Sequence, residues 1–400
     1  MTNIAILGFG VVGGGVADLI TKNYKECVSL GGDDINIKYI LDLRDFPTSP
    51  FADRVIHNFD IIVNDPEVDC VIEVMGGSHP AYEYTMAALR AGKNVITSNK
   101  EVVANFGDKF LKTAAENNVC YRFEAAVGGG IPVISPMINC VGQNKITEVR
   151  GILNGTTNYI LTKMFSYGAS FEESLVDAQN KGYAERNPDA DILGTDACRK
   201  IAILASLATG KLIPTDKIPT EGITKIRKAD VEAAAKIGMK IKLLGRCIVS
   251  NNDITCTVAP FMLGEEMPLA GVSGVYNAVE VIGNPIGNLM FYGPGAGAGA
   301  TASAVVGDLM QVMCSGTNCA CPKMEKTDGQ ADFGSFSCRR YYAFSGITAE
   351  QVKKVFSNVQ FIDSNEISFI TDTINEAAAN EYVNSLTKSG ATLLSTIRLL

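Results

Sequence analysis

The stretch TNIAILGFGVVG, residues 2–13, decides how the chain begins to fold. A short apolar run ends at Gly8. The spacing Gly8-x-Gly10-x-x-Gly13 follows and leads into a helical pattern that continues to about Tyr24. Because the glycines interrupt the apolar run just before the helical periodicity starts, we predict a strand, a glycine loop and a helix in direct succession.

The three glycines have distinct roles in such a unit. Gly8 permits the tight turn, Gly10 lets the backbone approach a pyrophosphate, and Gly13 lets the helix pack closely on the strand. The helix N-terminus offers free N–H groups and the positive end of its dipole to phosphates. The motif therefore predicts a dinucleotide site formed by Gly8, Phe9, Gly10, Val11, Val12 and Gly13. The alternative is a glycine-rich turn that binds no ligand.

Short apolar strands and helices continue to alternate beyond this unit. Strand patterns occur at Ile37–Leu41, Cys70–Val74 and Asn94–Thr97, and a helical pattern occurs at Pro80–Ala91. Alternation of this kind is typical of a parallel sheet with crossover helices. We predict an α/β protein with an N-terminal domain of the Rossmann type.

The residues after the second strand bear on the choice of dinucleotide. Asp42 is placed to accept hydrogen bonds from both ribose hydroxyls, which favours NAD. Arg44, two residues later, is suited to pair with the 2′-phosphate of NADP. The sequence favours NAD slightly and leaves NADP open.

Two further regions follow the first domain. A Gly-rich break near residue 128 introduces an α+β pattern over 129–289, and the Gly/Ala-rich stretch at about 290–313 returns the chain to the domain formed by residues 1–128. After a linker from Cys314 to Gly334, residues 335–400 show the order βαββαβ, which is typical of a ferredoxin-like domain.

Composition excludes several classes of protein. The net charge of −8 disfavours nucleic acid as the main partner. No apolar run is long enough to span a bilayer, so no membrane partner is expected. The N-terminus has no signal-peptide pattern, and we therefore expect a cytoplasmic protein.

Eleven cysteines are scattered along the chain. Their odd number and the missing signal peptide favour reduced thiols. Cys314, Cys319 and Cys321 are close enough in sequence to suggest zinc. Their C-x4-C-x-C spacing contains no CxxC and has no nearby histidine, so free thiols are the favoured interpretation.

Hydride transfer from a dinucleotide to a carbonyl carbon leaves negative charge on the oxygen, so such a reaction needs a proton donor or a cation there. Neither His57 nor His79 lies in a convincing cluster. Lysine is the natural substitute as an ammonium donor. Asp196 and Lys200 are four residues apart on a helix predicted to start after Gly194, so they share one face.

Glu185 and Asp191 precede that helix on an irregular loop. Three carboxylates beside one lysine suit a substrate that carries an ammonium group and a hydroxyl or carbonyl oxygen. The alternative, on spacing alone, is an exposed i,i+4 salt bridge with solvated neighbours.

Five stretches resemble the homoserine dehydrogenase family, in its order and at its approximate spacing. They are 97–100 (TSNK), 124–132 (EAAVGGGIP), 151–161 (GILNGTTNYIL), 178–200 (A-x3-G-Y-A-E-x-N-P-x2-D-x2-G-x-D-x3-K) and 293–308 (GPGAGAGATASAVVGD). With the glycine loop, the resemblance extends over residues 1 to about 310. It implies NAD(P)-dependent conversion of L-aspartate 4-semialdehyde to L-homoserine, on the route to threonine and methionine.

The resemblance also implies roles for single residues. Lys200 is expected to exchange the proton at the substrate oxygen, with Lys100 near the nicotinamide and the substrate. Glu185 and Asp196 are expected to hold homoserine, supported by Asp191. The expected lining residues are Thr156 and Tyr183 for the substrate pocket and Gly182 and Gly297 for the cofactor.

The family binds a monovalent cation, usually sodium, at positions that match Glu124, Val127, Gly129 and Ile131. A Gly-rich turn can point several carbonyl oxygens inward, which suits a hard cation. A hinge between domains is the alternative, and both are compatible.

The resemblance further implies a homodimer or homotetramer, with the second domain binding substrate and mediating dimerisation. The C-terminal domain resembles the ACT regulatory fold, where threonine can inhibit. Its first turn, Ser345-Gly346-Ile347, lacks the Asp and Pro-Gly of ACT effector loops, so a structural or oligomerising role is equally open.

Two other functions are alternatives to this one. A thiol-dependent semialdehyde dehydrogenase requires an activated cysteine beside a base, and no cysteine stands with a histidine partner. A non-catalytic nucleotide or amino-acid sensor would make no use of the carboxylate–lysine cluster.

Overall fold

The computed structural model describes residues 1–250, 253–315, 322–326 and 333–400. By the density of contacts the chain divides into two units. Unit 1 consists of Met1–Ile146, Ala202–Thr215 and Ile282–Thr327. Unit 2 consists of Thr147–Ile201, Asp216–Val281 and Asp328–Leu400.

The helices and strands are numbered in chain order. The helices are α1 Val11–Lys22, α2 Tyr24–Gly31, α3 Asp60–Val63, α4 Ala81–Arg90, α5 Lys100–Glu116, α6 Ile134–Asn139, α7 Gly155–Tyr167, α8 Phe171–Asn180, α9 Asp189–Ile192, α10 Thr195–Thr209, α11 Lys228–Lys236, α12 Pro268–Gly271, α13 Ala298–Ser315, α14 Ala349–Val355 and α15 Glu376–Lys388. The strands are β1 Thr2–Leu7, β2 Ile35–Leu41, β3 Val55–Ile56, β4 Cys70–Glu73, β5 Asn94–Thr97, β6 Tyr121–Arg122, β7 Lys145–Ile152, β8 Lys211–Leu212, β9 Met239–Ser250, β10 Asp253–Gly264, β11 Tyr276–Asn284, β12 Gly287–Pro294, β13 Glu325–Lys326, β14 Ser337–Cys338, β15 Arg340–Ser345, β16 Val359–Ile362, β17 Ile367–Thr371, β18 Ile374–Asn375 and β19 Thr392–Leu399.

Unit 1 contains the predicted parallel sheet. Its six strands lie in the order β3-β2-β1-β4-β5-β6, and every neighbouring pair is parallel. The apolar residues 4–7 of β1 are fully buried, as expected for a strand covered on both faces. This strand order and the glycine loop together make the Rossmann arrangement, and the predicted fold class is confirmed.

The helix after the glycine loop is shorter than predicted. It ends at Lys22 instead of near Tyr24, and a second helix, α2, follows at once. Helix α2 packs on α13, where a Cβ at Gly31 would approach the methyl carbon of Met313 to 2.8 Å. This helix depends on a partner nearly 300 positions later in the sequence, so local periodicity did not reveal it.

Unit 2 is built on a mixed sheet. Its strands lie in the order β11-β7-β9-β10-β19-β15-β17-β16. Strands β9 and β10 pair antiparallel over 12 residues each and are twice as long as predicted. The sequence indicated only 245–249 and 254–259, because continuous burial removes the polar alternation by which strand ends are recognised.

The C-terminal part of unit 2 has the predicted order βαββαβ. Its four strands are arranged β19-β15-β17-β16, which is the ferredoxin-like order. Burial of Tyr342, Phe344, Phe356 and Phe369 against α14 and α15 forms its core. The final strand, β19, also pairs parallel with β10, so these strands continue the sheet of unit 2.

The cysteines differ in part from the expected reduced state. Eight described cysteines are free, but Cys120 is disulfide-bonded, so the expectation of reduced thiols throughout is wrong there. Cys314 lies in the last turn of α13, so the chain is still helical where the linker was predicted to begin. Cys319 and Cys321 lie outside the described residues, and the described ones contain no cluster of three potential metal ligands.

Among the helices that the structure describes, none has the length and apolar character needed to cross a bilayer.

Candidate active site

The glycine loop of unit 1 follows β1 and begins α1. Gly8 has a φ of +95°, where glycine is favoured, and its N–H donates to the Leu41 carbonyl at 2.8 Å. A Cβ at Gly13 would lie 2.0 Å from the Gly8 carbonyl oxygen, whereas one at Gly10 would meet nothing within 4 Å. Position 13 therefore requires glycine for the protein's own packing, and position 10 leaves space for a ligand.

A cavity of about 590 Å³ opens at the carboxyl ends of β1, β2 and β4. The strand order of the sheet reverses between β1 and β4, which is where nucleotides bind in open α/β sheets. The cavity is lined by Gly8, Gly10, Val11, Val12, Leu41, Asp42, Leu43, Arg44, His57, Val74, Met75, Gly76, Pro80 and Tyr84.

Two members of the predicted cofactor motif do not line this cavity. The Phe9 ring packs on Phe46 and Phe51, and Gly13 faces the residues at the base of the loop. Both residues therefore support the loop's shape.

Asp42 connects the glycine loop to Arg44. One carboxylate oxygen accepts from the Phe9 N–H at 2.7 Å, and both accept from the Arg44 guanidinium at 3.0 and 3.1 Å. Arg44 holds the pKa of the Asp42 carboxyl down at about 2. The acid that suits NAD and the cation that suits NADP thus form one pair. His57, which the sequence did not point to, accompanies them, its Nδ1 lying 2.7 Å from the Asp42 carbonyl oxygen.

The ends of β4 and β5 are joined by Glu73, a buried residue that the sequence did not single out. Its carboxylate accepts from the Thr97 hydroxyl at 2.6 Å and from the Met75 N–H at 2.8 Å. Burial raises the pKa of Glu73 to about 7. Asn99 caps α5, and Lys100 is the first residue of that helix and half-buried.

The loop from Glu124 to Pro132 begins with a turn of 3₁₀ helix at Glu124–Ala126 and is irregular from Val127 onward, as predicted. Gly128 and Gly129 have φ values of +80° and +56°. The buried carbonyls of Val127, Gly129 and Ile131 accept no hydrogen bond from the described residues. Unpaired buried carbonyls are costly, so three in one loop are an arrangement that a cation would stabilise.

The Glu124 side chain has a different role from its backbone. Its carboxylate accepts from the N–H groups of Val133, Ile134 and Ser135 at 2.6–2.8 Å, at the start of α6. Burial raises the pKa of the Glu124 carboxyl, whereas those hydrogen bonds lower it. The carboxylate is therefore committed to the helix start, and only the carbonyl of Glu124 is left to contribute to a cation site.

Unit 2 brings Lys200 and Asp196 together on α10. The Lys200 ammonium donates to Asp196 Oδ2 at 2.7 Å and to the Leu153 carbonyl at 2.8 Å. Lys200 is only 9% exposed and Asp196 only 5%, so the exposed salt bridge, which was the alternative, is excluded. Separating two buried charges leaves each without a partner at a large cost in free energy, so the pair is held in a defined geometry.

Asn154 joins a second carboxylate to this pair. Its amide N–H₂ donates to Asp191 Oδ1 at 2.7 Å and to Asp196 Oδ2 at 3.0 Å. Burial raises the pKa of Asp191, and the negative charge of Asp196 adds to that effect, while the Asn154 hydrogen bond opposes it. Asn154 lies within the motif at 151–161, but the sequence predicted no role for it. Nothing local in the sequence indicates which side chains it contacts.

The loop before α9 carries the remaining predicted substrate residues. Gly182 has a φ of +73°, and the Tyr183 carbonyl accepts from the Thr156 hydroxyl at 2.6 Å. The Tyr183 ring is half-exposed and contacts Tyr159. The Glu185 side chain is exposed, and within the described ranges it makes no hydrogen bond or ion pair with Lys200 or the two aspartates. The structure therefore gathers two of the three predicted carboxylates around the lysine.

Two family models match the chain. A homoserine dehydrogenase model matches residues 132–310, and a model of the homoserine dehydrogenase NAD-binding domain matches residues 8–124. The chain belongs to the homoserine dehydrogenase family.

Homoserine dehydrogenases from several bacteria are similar to it. The Synechocystis enzyme is 40% identical over 316 residues, which cover 78% of this chain and 73% of that protein. The Bacillus subtilis enzyme is 39% identical over 317 residues, covering 78% and 72%. The homoserine dehydrogenase structure from Thiobacillus denitrificans matches with a TM-score of 0.93 at 31% identity, over all of this chain and 98% of that one. The chain is an NAD(P)-dependent oxidoreductase of this family.

Homoserine dehydrogenase chemistry requires no thiolate, and burial disfavours the thiolate at four of the described cysteines. Burial raises the pKa of the thiols of Cys27, Cys70, Cys198 and Cys338. A raised pKa suppresses the nucleophilic thiolate. These four thiols are therefore poor candidates for the nucleophile of a thiol-dependent semialdehyde dehydrogenase. The family assignment also disfavours that function.

Proposed function

We propose that the chain interconverts L-homoserine and L-aspartate 4-semialdehyde with Lys200 as the proton donor and acceptor. The observation that carries this proposal is the buried Asp196–Lys200 pair beside Asp191. Bound NAD(P) supplies or accepts the hydride. The residues of unit 2 then have to hold an amino acid and to exchange one proton at its terminal oxygen.

Lys200 is suited to the proton exchange. An ammonium group has three donors, and two of them are used by Asp196 and the Leu153 carbonyl. The third is left for the oxygen of the substrate. When the aldehyde is reduced, Lys200 stabilises the charge that develops on this oxygen and donates a proton to it; in the reverse direction it accepts the proton.

The carboxylates are suited to the substrate's ammonium group. Asp191 and Asp196 carry two negative charges against one positive charge on Lys200, so the cluster is attractive to a cation. Glu185, exposed on the loop that also contains Tyr183, is proposed to join them when the substrate is present. Thr156 supports that loop through the Tyr183 carbonyl.

The dinucleotide is proposed to bind in the unit 1 cleft between the glycine loop and the Asp42–Arg44 pair. A solved structure of a hyperthermophilic archaeal homoserine dehydrogenase mutant in complex with NADPH is similar to this chain, with a TM-score of 0.67 at 29% identity and coverage of 78% of this chain and 98% of that one. Asp42 favours NAD when its oxygens are free, and Arg44 favours the 2′-phosphate of NADP. We propose that both cofactors are used. Lys100, Gly182 and Gly297 keep the cofactor roles that the family resemblance implies.

A monovalent cation such as sodium is proposed for the 124–132 loop. The ligands would be the carbonyl oxygens of Glu124, Val127, Gly129 and Ile131. The lack of other partners for three of these carbonyls supports the proposal. The cation would fix the shape of the loop and would take no part in proton or hydride transfer.

Three further properties stay predictions. They are a homodimer or homotetramer with its interface in the region 129–289, a cytoplasmic location, and control by an effector such as threonine at the ACT-like segment. At the first turn of that segment, Gly346 has a φ of +71° and a Cβ there would approach the Gly390 carbonyl to 3.2 Å, so the turn is closely packed.

The direct test is a steady-state assay of homoserine oxidation with NAD and with NADP, for the wild type and Lys200→Met. Methionine keeps the length of the side chain but removes its donors. We expect kcat to fall by about 10³-fold, within the range of general acid–base catalysis, with the Kd for NAD(P)H unchanged.

Lys22→Met is the matched control. Lys22 pairs with Asp18 at the same i,i+4 spacing, but both residues are exposed. Its substitution should leave kcat unchanged. Near-normal turnover of Lys200→Met would contradict the proposed role of Lys200.

A further inference from the structure

We propose that Asn154 is the positioning residue of the substrate site, an uncharged bridge that holds the like-charged side chains of Asp191 and Asp196 together beside Lys200. This inference rests on the proposed function and deepens it. No part of the family resemblance assigned a role to Asn154.

Asn154 uses every polar group of its side chain. It is only 6% exposed and stands at the N-cap of α7, where its Oδ1 accepts from the Thr157 N–H at 2.9 Å. Its Nδ2 donates one hydrogen to Asp191 and the other to Asp196. A side chain with one acceptor and two donors on adjacent atoms is required here, and only an amide meets that need without charge.

The two carboxylates require such a bridge. Asp191 belongs to α9 and Asp196 to α10. Both accept from the same amide nitrogen, so their negative charges are close enough to repel each other. Lys200 makes its ion pair with Asp196, so it does not replace the bridge to Asp191. Without Asn154, the repulsion would favour movement of Asp191 away from Asp196 or its protonation.

An uncharged bridge also preserves the charge that the substrate needs. Two carboxylates and one ammonium leave a net charge of −1, which complements one substrate ammonium group. A lysine or arginine bridge would cancel this charge, and an aspartate would double it. Asparagine thus combines the bridging geometry with the charge balance.

The same short segment also positions the lysine. Leu153, whose carbonyl accepts from Lys200, is the residue before Asn154. Because Asn154 caps α7, movement of that helix start is transmitted to both acids and to the ammonium group. Residues 153 and 154 therefore act as one template for the whole cluster.

Asn154→Asp is the first variant to measure. Aspartate keeps the N-cap acceptor, but its buried negative charge beside two other carboxylates should lower the melting temperature. It replaces both donors with a third negative charge. We expect kcat/KM for homoserine to fall at least 100-fold, with the Kd for NAD(P)H unchanged. The acid limb of the pH–rate profile should move to higher pH, because added negative charge raises the pKa of Asp191.

Asn154→Ser separates the loss of the bridge from the added charge. Serine also caps helices but is too short to bridge two carboxylates. It should raise the KM for homoserine by at least tenfold while moving the acid limb less than Asn154→Asp does. This variant keeps the inference testable if Asn154→Asp folds poorly.

Asn375→Asp is the matched control. Asn375 caps α15 in the same way, accepting from the Ala378 N–H at 2.7 Å, and it is exposed. The same substitution there should change neither kcat/KM nor the pH profile.

The outcomes separate the two claims. If the wild type oxidises homoserine and Lys200→Met does not, but both Asn154 variants keep the wild-type KM and pH profile, the inference is overturned and the proposed function stands. If the wild type fails to oxidise homoserine, the proposed function is overturned and the inference with it.

Discussion

The proposed cofactor cleft of unit 1 and the proposed substrate cluster of unit 2 are built in opposite ways. The glycine loop takes its shape from six consecutive residues, Gly8 to Gly13, and presents mainly backbone N–H groups. The substrate cluster takes its shape from residues 153–154 and from Asp191, Asp196 and Lys200, which lie 37 to 47 positions later where they make contact.

This difference predicts different sensitivities. A backbone site with close internal contacts is sensitive to volume, because one methyl group displaces the main chain. A buried cluster of charges is sensitive to charge, because each unpaired group carries a large desolvation cost. The following predictions test whether the two units follow these separate rules.

The largest effect is expected from Gly13→Ala compared with Gly10→Ala. At position 13 the new Cβ would lie 2.0 Å from the Gly8 carbonyl oxygen, so the loop must shift even without ligand. We expect a lower melting temperature and at least 100-fold weaker NAD(P)H binding. Gly10→Ala should keep the melting temperature, because its Cβ meets no atom within 4 Å.

Isothermal titration calorimetry and thermal melts check this pair. Any loss of NAD(P)H affinity in Gly10→Ala would then come from contact between the new methyl group and the cofactor. Equal melting temperatures for both variants would contradict the steric account of the loop.

A second prediction concerns charge in unit 2. Asp196→Asn preserves the size of the side chain but removes the charge that pairs with Lys200. We expect kcat/KM for homoserine to fall about 10- to 100-fold, with NAD(P)H affinity unchanged. Steady-state kinetics with a fluorescence titration of NAD(P)H measure both. Unchanged kcat/KM would show that shape, rather than charge, governs this cluster.

A third prediction addresses cofactor choice. Arg44→Ala removes the guanidinium that occupies both oxygens of Asp42 and also removes the cation available to a 2′-phosphate. The ratio of kcat/KM with NAD to kcat/KM with NADP should rise about tenfold, equivalent to about 1.4 kcal/mol. Arg44→Lys keeps the positive charge but loses the planar guanidinium. Its ratio should lie between those of the wild type and Arg44→Ala. No change in the ratio would exclude Arg44 from the ribose site.

The smallest effect is expected from Asp308→Asn. Burial raises the pKa of Asp308 to about 7. The hydrogen bond from the Glu124 N–H lowers this pKa, and the negative charge of Glu124 raises it. Since the pKa in the folded state lies above the usual value of 3.8, the stabilisation is complete below about pH 4 and is lost as the pH rises through about 7.

Asparagine cannot ionise and can still accept from the Glu124 N–H. We expect Asp308→Asn to melt about 2–4 °C above the wild type at pH 8, with this difference shrinking as the pH falls and absent near pH 4. Thermal melts at several pH values measure it. A constant difference across this range would mean that Asp308 does not titrate there.

Much of the fold was predictable because its signals are local. The glycine spacing, the alternating strands and helices of unit 1 and the βαββαβ order of the C-terminal segment follow from periodicity and turn residues. The positions of Lys200 and Asp196 on one helix face follow from their spacing of four. In each case the decisive interactions lie within a few residues of the signal.

The tertiary structure alone decided what depends on distant partners. It extended β9 and β10, added α2, joined Asp42 to the Phe9 N–H of the glycine loop, and left Glu185 outside the carboxylate–lysine cluster. It also placed Asn154 between two aspartates. A sequence records which donors and acceptors are available, but burial and repulsion between segments distant in the chain select the ones that meet.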